Sequence, residues 1–327
     1  MKNILLIRIL KSICFFSIFI LITVFISRSF STRKEAYELS SRSRRASQVF
    51  NEPNDSLDVI IVGHSGVYTG YSPMEAYKEY GFTSYSLSQA VQKPWESYNY
   101  LVDVLKTQKP KVIVFEVDQL FYDKINYQAH GAVVKAADAL FPIVSNHILW
   151  KKFFGKKFNP LKERSYTKGY TIDYHVNPYK GPYELKETDK VYKIKKPHYL
   201  YMKKVAELCK NNDIPLVLLE MPSKIRWDYS KYNAVKKFAD ERNIRFVDSN
   251  QRIKEFNFDW KNDTRDRGDH LNHYGAVKFT KFFAKYLTDE FDLQNKKDDS
   301  KYQHWNNDLL IYENMVEDIK NDKYKNK

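Results

Sequence analysis

Two cysteines, Cys14 and Cys209, are all that the 327 residues contain. That count excludes a disulfide framework and every zinc-finger spacing. Nucleic-acid signatures are missing as well: there is no glycine-rich or aromatic–basic motif and no internal repeat, so no nucleic-acid partner is expected. No histidine pair sits at i, i+4 with a carboxylate; His270 and His273, at i, i+3, make a poor ligand pattern. Neither a metal nor a cofactor is expected. What the chain has in quantity is positive charge, 54 Lys and Arg against 40 Asp and Glu, for a net +14. Two readings of it stay open, a solvated lysine surface or attraction to anionic headgroups or an anionic polymer. With 43% hydrophobic residues the chain can bury a core and is not a disordered protein.

Charge disappears altogether over Ser12–Ser27, a run of Ile, Phe, Leu and Val bracketed by Lys11 and Arg28. A helix of about 16–18 residues covers roughly 24–27 Å and spans a bilayer if its flanking cations snorkel. No Ala-x-Ala pattern follows, so an uncleaved anchor over residues 1–30 is expected rather than a removed signal peptide. Cations follow the span (Arg28, Arg33, Lys34, Arg42, Arg44, Arg45) as well as precede it. The positive-inside rule therefore counts against export of the body, although long C-terminal domains translocate regardless of flanking charge. The expected location is the cell membrane, single-pass, with the main domain extracytoplasmic. Cys14 would lie in lipid and could not pair with Cys209; a disulfide-free chain suits the cytoplasm and a Gram-positive surface equally.

Residues 31–56 are charged and serine-rich and read as a stalk. Beyond them strands and helices alternate. Leu57–Val62, Thr83–Leu87, Lys111–Val117, Ile214–Glu220 and Ile244–Val247 read as strands. Pro73–Tyr80, Pro94–Thr107, Tyr199–Lys210, Lys231–Glu241 and Gly275–Leu287 read as helices. Several strands are continuous β-branched runs, which predicts an α/β fold, a three-layer sandwich with a central parallel sheet over residues 57–290. An aromatic, basic insertion at 151–196 breaks the rhythm and reads as a cap over a site or as a packed excursion. Residues 291–327 read as a charged tail with one amphipathic helix around Trp305–Ile319.

Two blocks carry the chemistry. Gly63-His64-Ser65-Gly66 places a serine just past the first strand, where flanking glycines allow a sharp turn with exposed N–H groups. Gly268-Asp269-His270-Leu271-Asn272-His273-Tyr274-Gly275 puts an acid and an imidazole at the head of the last helix. Serine needs a base to become a nucleophile, and the base needs a carboxylate to fix its tautomer. Ser65 and His270 are the candidates for the first two roles, and Asp266 or Asp269 for the third. Ser65 as a simple turn cap and Asp269 as a helix N-cap stand beside that reading.

On these residues the chain resembles the SGNH/GDSL hydrolase superfamily over roughly Leu57–Leu287. The family's Gly-Asp-Ser turn is matched by Gly63-His64-Ser65, and its terminal block by His270-Leu271-Asn272-x-x-Gly275. The resemblance implies a flavodoxin-like sheet and His270 rather than His273 as base. The family's acid falls three residues before the histidine, where Arg267 stands, with Asp266 and Asp269 on either side. Its oxyanion glycine and asparagine are also absent; Gly66, His64, Ser88, Gln89, Gln92 and Asp118 occupy the neighbouring places. Such departures resemble the membrane-anchored branch that includes DltD and the alginate O-acetylation proteins.

What this implies is a membrane-anchored serine esterase or O-acyltransferase handling acetyl or D-alanyl esters of a cell-surface polysaccharide or teichoic acid, beside a membrane-bound O-acyltransferase. The alternative is a catalytically decayed accessory protein of the same fold that recruits polymer or scaffolds that acyltransferase.

Overall fold

The computed structural model describes residues 2–28, 40, 42–122, 164–181 and 185–325. The chain divides into two units, Met1–Arg44 with Asp123–Pro160, and Arg45–Tyr122 with Leu161–Lys327. In the first unit, helix α1 covers Lys2–Arg28. Its stretch Ile4–Ser27 has 24 residues and a mean hydropathy of 2.6. At 1.5 Å per residue that is roughly 36 Å, enough for the ~30 Å hydrocarbon core of a bilayer. By length and composition the helix can cross a membrane.

The second unit is a parallel α/β sandwich. Its strands are β1 (Val59–Gly63), β2 (Ser84–Ser88), β3 (Val112–Glu116), β4 (Leu216–Glu220) and β5 (Arg245–Asp248). They pair in parallel in the order β2-β1-β3-β4-β5. Every residue of β1, β2 and β3 is buried, as strands covered on both faces must be. The connecting helices are α2 (Ser65–Gly70), α3 (Pro73–Tyr80), α4 (Pro94–Val104), α5 (Lys196–Asn211), α6 (Tyr229–Asp240) and α7 (His273–Glu290). Helix α7 packs on α2 and α3, and α4 packs on α5. Local signals set the helix ends: Ser72 caps α3 with Pro73 in its first turn, and Gly81, at φ 77°, closes it. The connection after β1 runs to β2 on one side, and the connection after β3 runs to β4 on the other. The crevice beyond the carboxyl ends of β1 and β3 is therefore where such sheets collect ligands.

The folded unit is wider than the sequence boundaries of 57 and 290. Ala46 and Val49, in the expected stalk, are fully buried, and so are Trp305 and Tyr312 of the expected tail. Those two belong to a last helix, α8 (Gln303–Lys325). A buried lysine joins the segments. Lys168 Nζ donates to Glu52 Oε1 at 2.9 Å and to Asp308 Oδ2 at 2.7 Å, and it sits 4.5 Å above the Trp305 ring. A charge removed from water needs such partners, and here lysine and partners come from three stretches far apart in sequence.

Of the insertion at 151–196, residues 151–163 and 182–184 lie outside the described residues. Residues 164–181 are built into the domain. The Ser86 N–H donates to Lys168 O, the Thr171 N–H to Tyr68 O and the Asn177 N–H to Thr264 O. Tyr170 and Tyr174 are buried. This stretch thus runs from the free edge of β2 to the loop ahead of α7.

Candidate active site

Strand β1 ends on Gly63, and the close approach there requires a glycine. A Cβ at this position would lie 2.5 Å from Val67 Cγ2 and 2.6 Å from Glu116 Cβ. The chain then turns through His64 into α2, whose first residue is Ser65. Glu116, at the end of β3, receives the His64 N–H on Oε2 (3.2 Å) and the Asp118 N–H on Oε1 (3.1 Å), tying the two strand ends together. The His64 ring folds back over its own turn, where Nδ1 accepts the Gly66 N–H at 3.1 Å. A nitrogen that accepts carries no proton, so the proton of the neutral ring sits on Nε2, which donates to Asp118 Oδ2 at 2.6 Å.

The second block forms a tight loop. Thr264 bridges Leu271 in antiparallel fashion, and the Arg265 N–H donates to His270 O. Between them Arg267 (φ 64°) and Gly268 (φ 89°) are both left-handed. With these two left-handed residues in the loop, the carboxylate that meets His270 lies four residues before it. Asp266 Oδ1 receives the His270 N–H at 2.6 Å, and Oδ2 lies 2.5 Å from Nδ1. On the far side of the ring, Nε2 lies 2.6 Å from Ser65 Oγ. Ser65 and His270 are 205 positions apart in the chain, and the fold brings them into hydrogen-bonding contact.

Burial works to raise the Asp266 pKa, but its hydrogen bonds to His270 and the adjacent imidazole bring it below the ordinary carboxylate range. Around His64, burial opposes a charge, while Glu116 and Asp118 outweigh it and raise the ring's pKa. Burial raises the Glu116 pKa; Asp118, despite its burial, is lowered by the His64 hydrogen bond and by Arg226.

Asp269 stands beside the base but farther from it than Asp266. Its Oδ2 is 3.6 Å from His270 Nδ1. It faces Arg226, whose Nη2 donates to Oδ2 at 2.7 Å and whose Nε lies 2.5 Å from Oδ1. Nor does Asp269 cap α7: that cap is Asn272, which accepts the Gly275 N–H at 3.1 Å. His273 is buried against Tyr170, whose hydroxyl lies 3.0 Å from its Nδ1.

The residues read from sequence as oxyanion or substrate candidates separate into groups. The Gly66 N–H is taken by His64. Gln89 donates to Glu96 Oε1 and accepts from Tyr100, while Gln92 donates to Leu87 O and Ser97 Oγ. These two glutamines fasten α4 to the end of β2. Asp118 holds His64. Ser88 Oγ is buried and has no hydrogen-bond partner among the described residues. Sequence reasoning missed Arg226 and Glu116. Glu116 ends β3, and Arg226 lies on the loop after β4 ahead of Asp228, the cap of α6; the carboxyl ends of the strands were the signal available.

Two clusters bring three potential metal-ligand atoms within 4.8 Å of one another: His64, Glu116 and Asp118, and Asp266, Asp269 and His270. In the first, the His64–Asp118 hydrogen bond and the two amides on Glu116 already engage the ligand atoms. Arg226 Nη1, 3.7 Å from Asp118 Oδ2, brings a positive charge to it. In the second, Asp269 faces Arg226 and Asp266 faces the imidazole. Hydrogen bonding and ion pairing account for both clusters.

No protein-family model and no curated protein sequence matches this chain. Similar solved structures include a GDSL-like lipase from Bacteroides thetaiotaomicron (11% identity, 80% of this chain and 99% of that one, TM-score 0.40). They also include the lipase/acylhydrolase from Enterococcus faecalis (7%, 72% and 97%, TM-score 0.39) and an acetyl xylan esterase (15%, 71% and 98%, TM-score 0.37).

Proposed function

We propose that the protein is a serine acyl-transfer enzyme, an esterase or O-acyltransferase held at the membrane by α1. The observation that carries this reading is the line Asp266–His270–Ser65, with contacts of 2.5 Å and 2.6 Å on the two nitrogens of one imidazole. Ser65 Oγ attacks the acyl carbonyl while its proton passes to His270 Nε2. Collapse of the tetrahedral intermediate breaks the bond to the leaving oxygen, which takes that proton. Water or a hydroxyl of an acceptor then attacks the acyl-serine, with His270 as base, and Ser65 is restored. Asp266 holds the Nδ1–H tautomer and stabilises the imidazolium. The Ser65 N–H, first in α2, is the main-chain donor at the place where the oxyanion develops.

The proposed substrates are O-acyl groups, acetyl or D-alanyl, on a cell-surface polysaccharide or teichoic acid, with a membrane-bound O-acyltransferase as neighbour and the domain outside the cytoplasm. A net charge of +14 supports an anionic polymer as partner. The test compares alkali-labile acetate and D-alanine on purified surface polymers from wild type and from a strain making equal amounts of a Ser65→Ala protein. A fall in one ester supports transfer and names the group; a rise supports hydrolysis; no change in either sinks the reading. One observation favours the accessory-protein alternative: the Gly66 amide is occupied by His64 and the two glutamines are engaged elsewhere, which thins the oxyanion side. Absence of Ser65 labelling by a fluorophosphonate would put that alternative ahead.

A further inference from the structure

Arg226 stands between the two halves of the site, and this inference rests on the acyl-transfer reading. Its guanidinium donates to Oδ2 of Asp269, the residue beside the base, at 2.7 Å and lies in ion-pair contact with Oδ1 at 2.5 Å. Nη1 lies 3.7 Å from Asp118 Oδ2, the partner of the residue beside the nucleophile, and 3.3 Å from His64 Nε2. Because His64 Nε2 donates to Asp118, it is not an acceptor for Nη1; charge, not that contact, holds this side.

The need for such a cation follows from counting charges around the imidazole. The groups facing His270 are Asp266 and Asp269 from its own loop, Arg226 from the β4–α6 loop and the Ser65 hydroxyl from α2. His64, Glu116 and Asp118 lie behind Arg226; Arg265 is occupied by Asp173. Two carboxylates beside one Nδ1–H would compete for it, and together they would hold the ring as imidazolium, which cannot accept a proton from serine. We propose that Arg226 is a positioning residue that sequesters and neutralises Asp269, leaving Asp266 alone to orient His270. The planar fork of arginine suits this task, since it covers both carboxylate oxygens at once.

The test uses the full chain in detergent micelles and reads the rate of Ser65 labelling by a fluorophosphonate against pH. Arg226→Gln moves the acid limb of that profile up by about one pH unit, the effect expected of an unmasked carboxylate near 4 Å. Asp269→Asn, which leaves the guanidinium without its counter-charge, moves it down. Arg226→Gln/Asp269→Asn brings it back close to wild type, and Arg226→Lys, which keeps the charge, keeps the limb near wild type with a slower plateau. Shifts of opposite sign that cancel in the double variant are not produced by loosening of the fold. The same displacements are expected in the NMR titration of the His270 imidazole, which does not need turnover. Labelling failure in wild type would therefore count against the acyl-transfer reading, while the His270 titration reads the effect of Arg226 separately. An Arg226→Gln titration that overlays wild type, or a double variant displaced as far as the single one, overturns the role of Arg226.

Discussion

Glu116 accepts the main-chain N–H of His64 at 3.2 Å, so the residue before the nucleophile is hung from the end of the neighbouring strand. The contact is available only because Gly63 has no side chain: a Cβ there would come within 2.9 Å of the same Glu116 oxygen. Gly63→Ala is expected to push β1 from β3, costing about 1–3 kcal/mol of stability as an overpacked core does. Urea denaturation reads the loss, and Ser65 labelling should fall with it even at temperatures where the variant stays folded. A variant as stable and as readily labelled as wild type would show that the turn does not depend on this approach.

The two acids beside His270 should behave very differently. Asp266→Asn removes the acceptor of the Nδ1 proton and is expected to cost about 10³–10⁴-fold in serine reactivity, the scale seen when a triad carboxylate becomes an amide. Asp269→Asn, compared on the plateau of the pH profile, should cost less than about tenfold, since that carboxylate is spent on Arg226. Reversal of this order would assign the orienting role to Asp269.

The site was legible in the sequence as a parts list and not as a geometry. Ser65 and His270 could be picked out because strand-end and helix-head positions leave local signatures. The choice between Asp266 and Asp269 could not be made, because it depends on two left-handed residues, Arg267 and Gly268, and on an arginine more than forty residues away. Gln89 and Gln92 looked available from their place after β2, yet their partners come from α4 and no spacing rule reveals that. The parallel sheet was readable from its apolar runs. The true edges of the folded unit were not, since charged segments such as 45–52 and 303–325 bury only selected residues, Val49, Trp305 and Tyr312 among them.

Lys168 tests the closure of those edges. Lys168→Met leaves Glu52 and Asp308 facing one another without the ammonium that lies between them. Breaking a buried ion pair from one side costs about 3–5 kcal/mol, because the remaining charge stays desolvated. Limited proteolysis should then release α8 before the sheet unfolds. An unchanged urea midpoint and an intact C-terminal helix would show that the aromatic packing of Trp305 and Tyr312 suffices.

His273 gives the acid behaviour of the domain a sign. Burial, helped by Lys320, lowers its pKa to about 4, against about 6.5 in an unfolded chain. The folded state thus holds the ring neutral where the unfolded chain would protonate it. Its contribution is fully present above pH 6.5 and is lost as the pH falls towards 4. The full loss is about 3 kcal/mol, with a limiting slope of about 1.4 kcal/mol per pH unit. Buried carboxyls whose pKa values are raised, Glu52 and Glu220 among them, act in the opposite direction, so the total curve does not isolate this residue. The difference between wild type and His273→Phe does. Denaturant unfolding at pH 7.5, 5.5 and 4.5 should show the variant less stable at neutral pH, where it lacks the Tyr170 hydrogen bond, and closing the gap as the pH falls. A gap that stays constant across that range would mean that His273 does not take up a proton on unfolding.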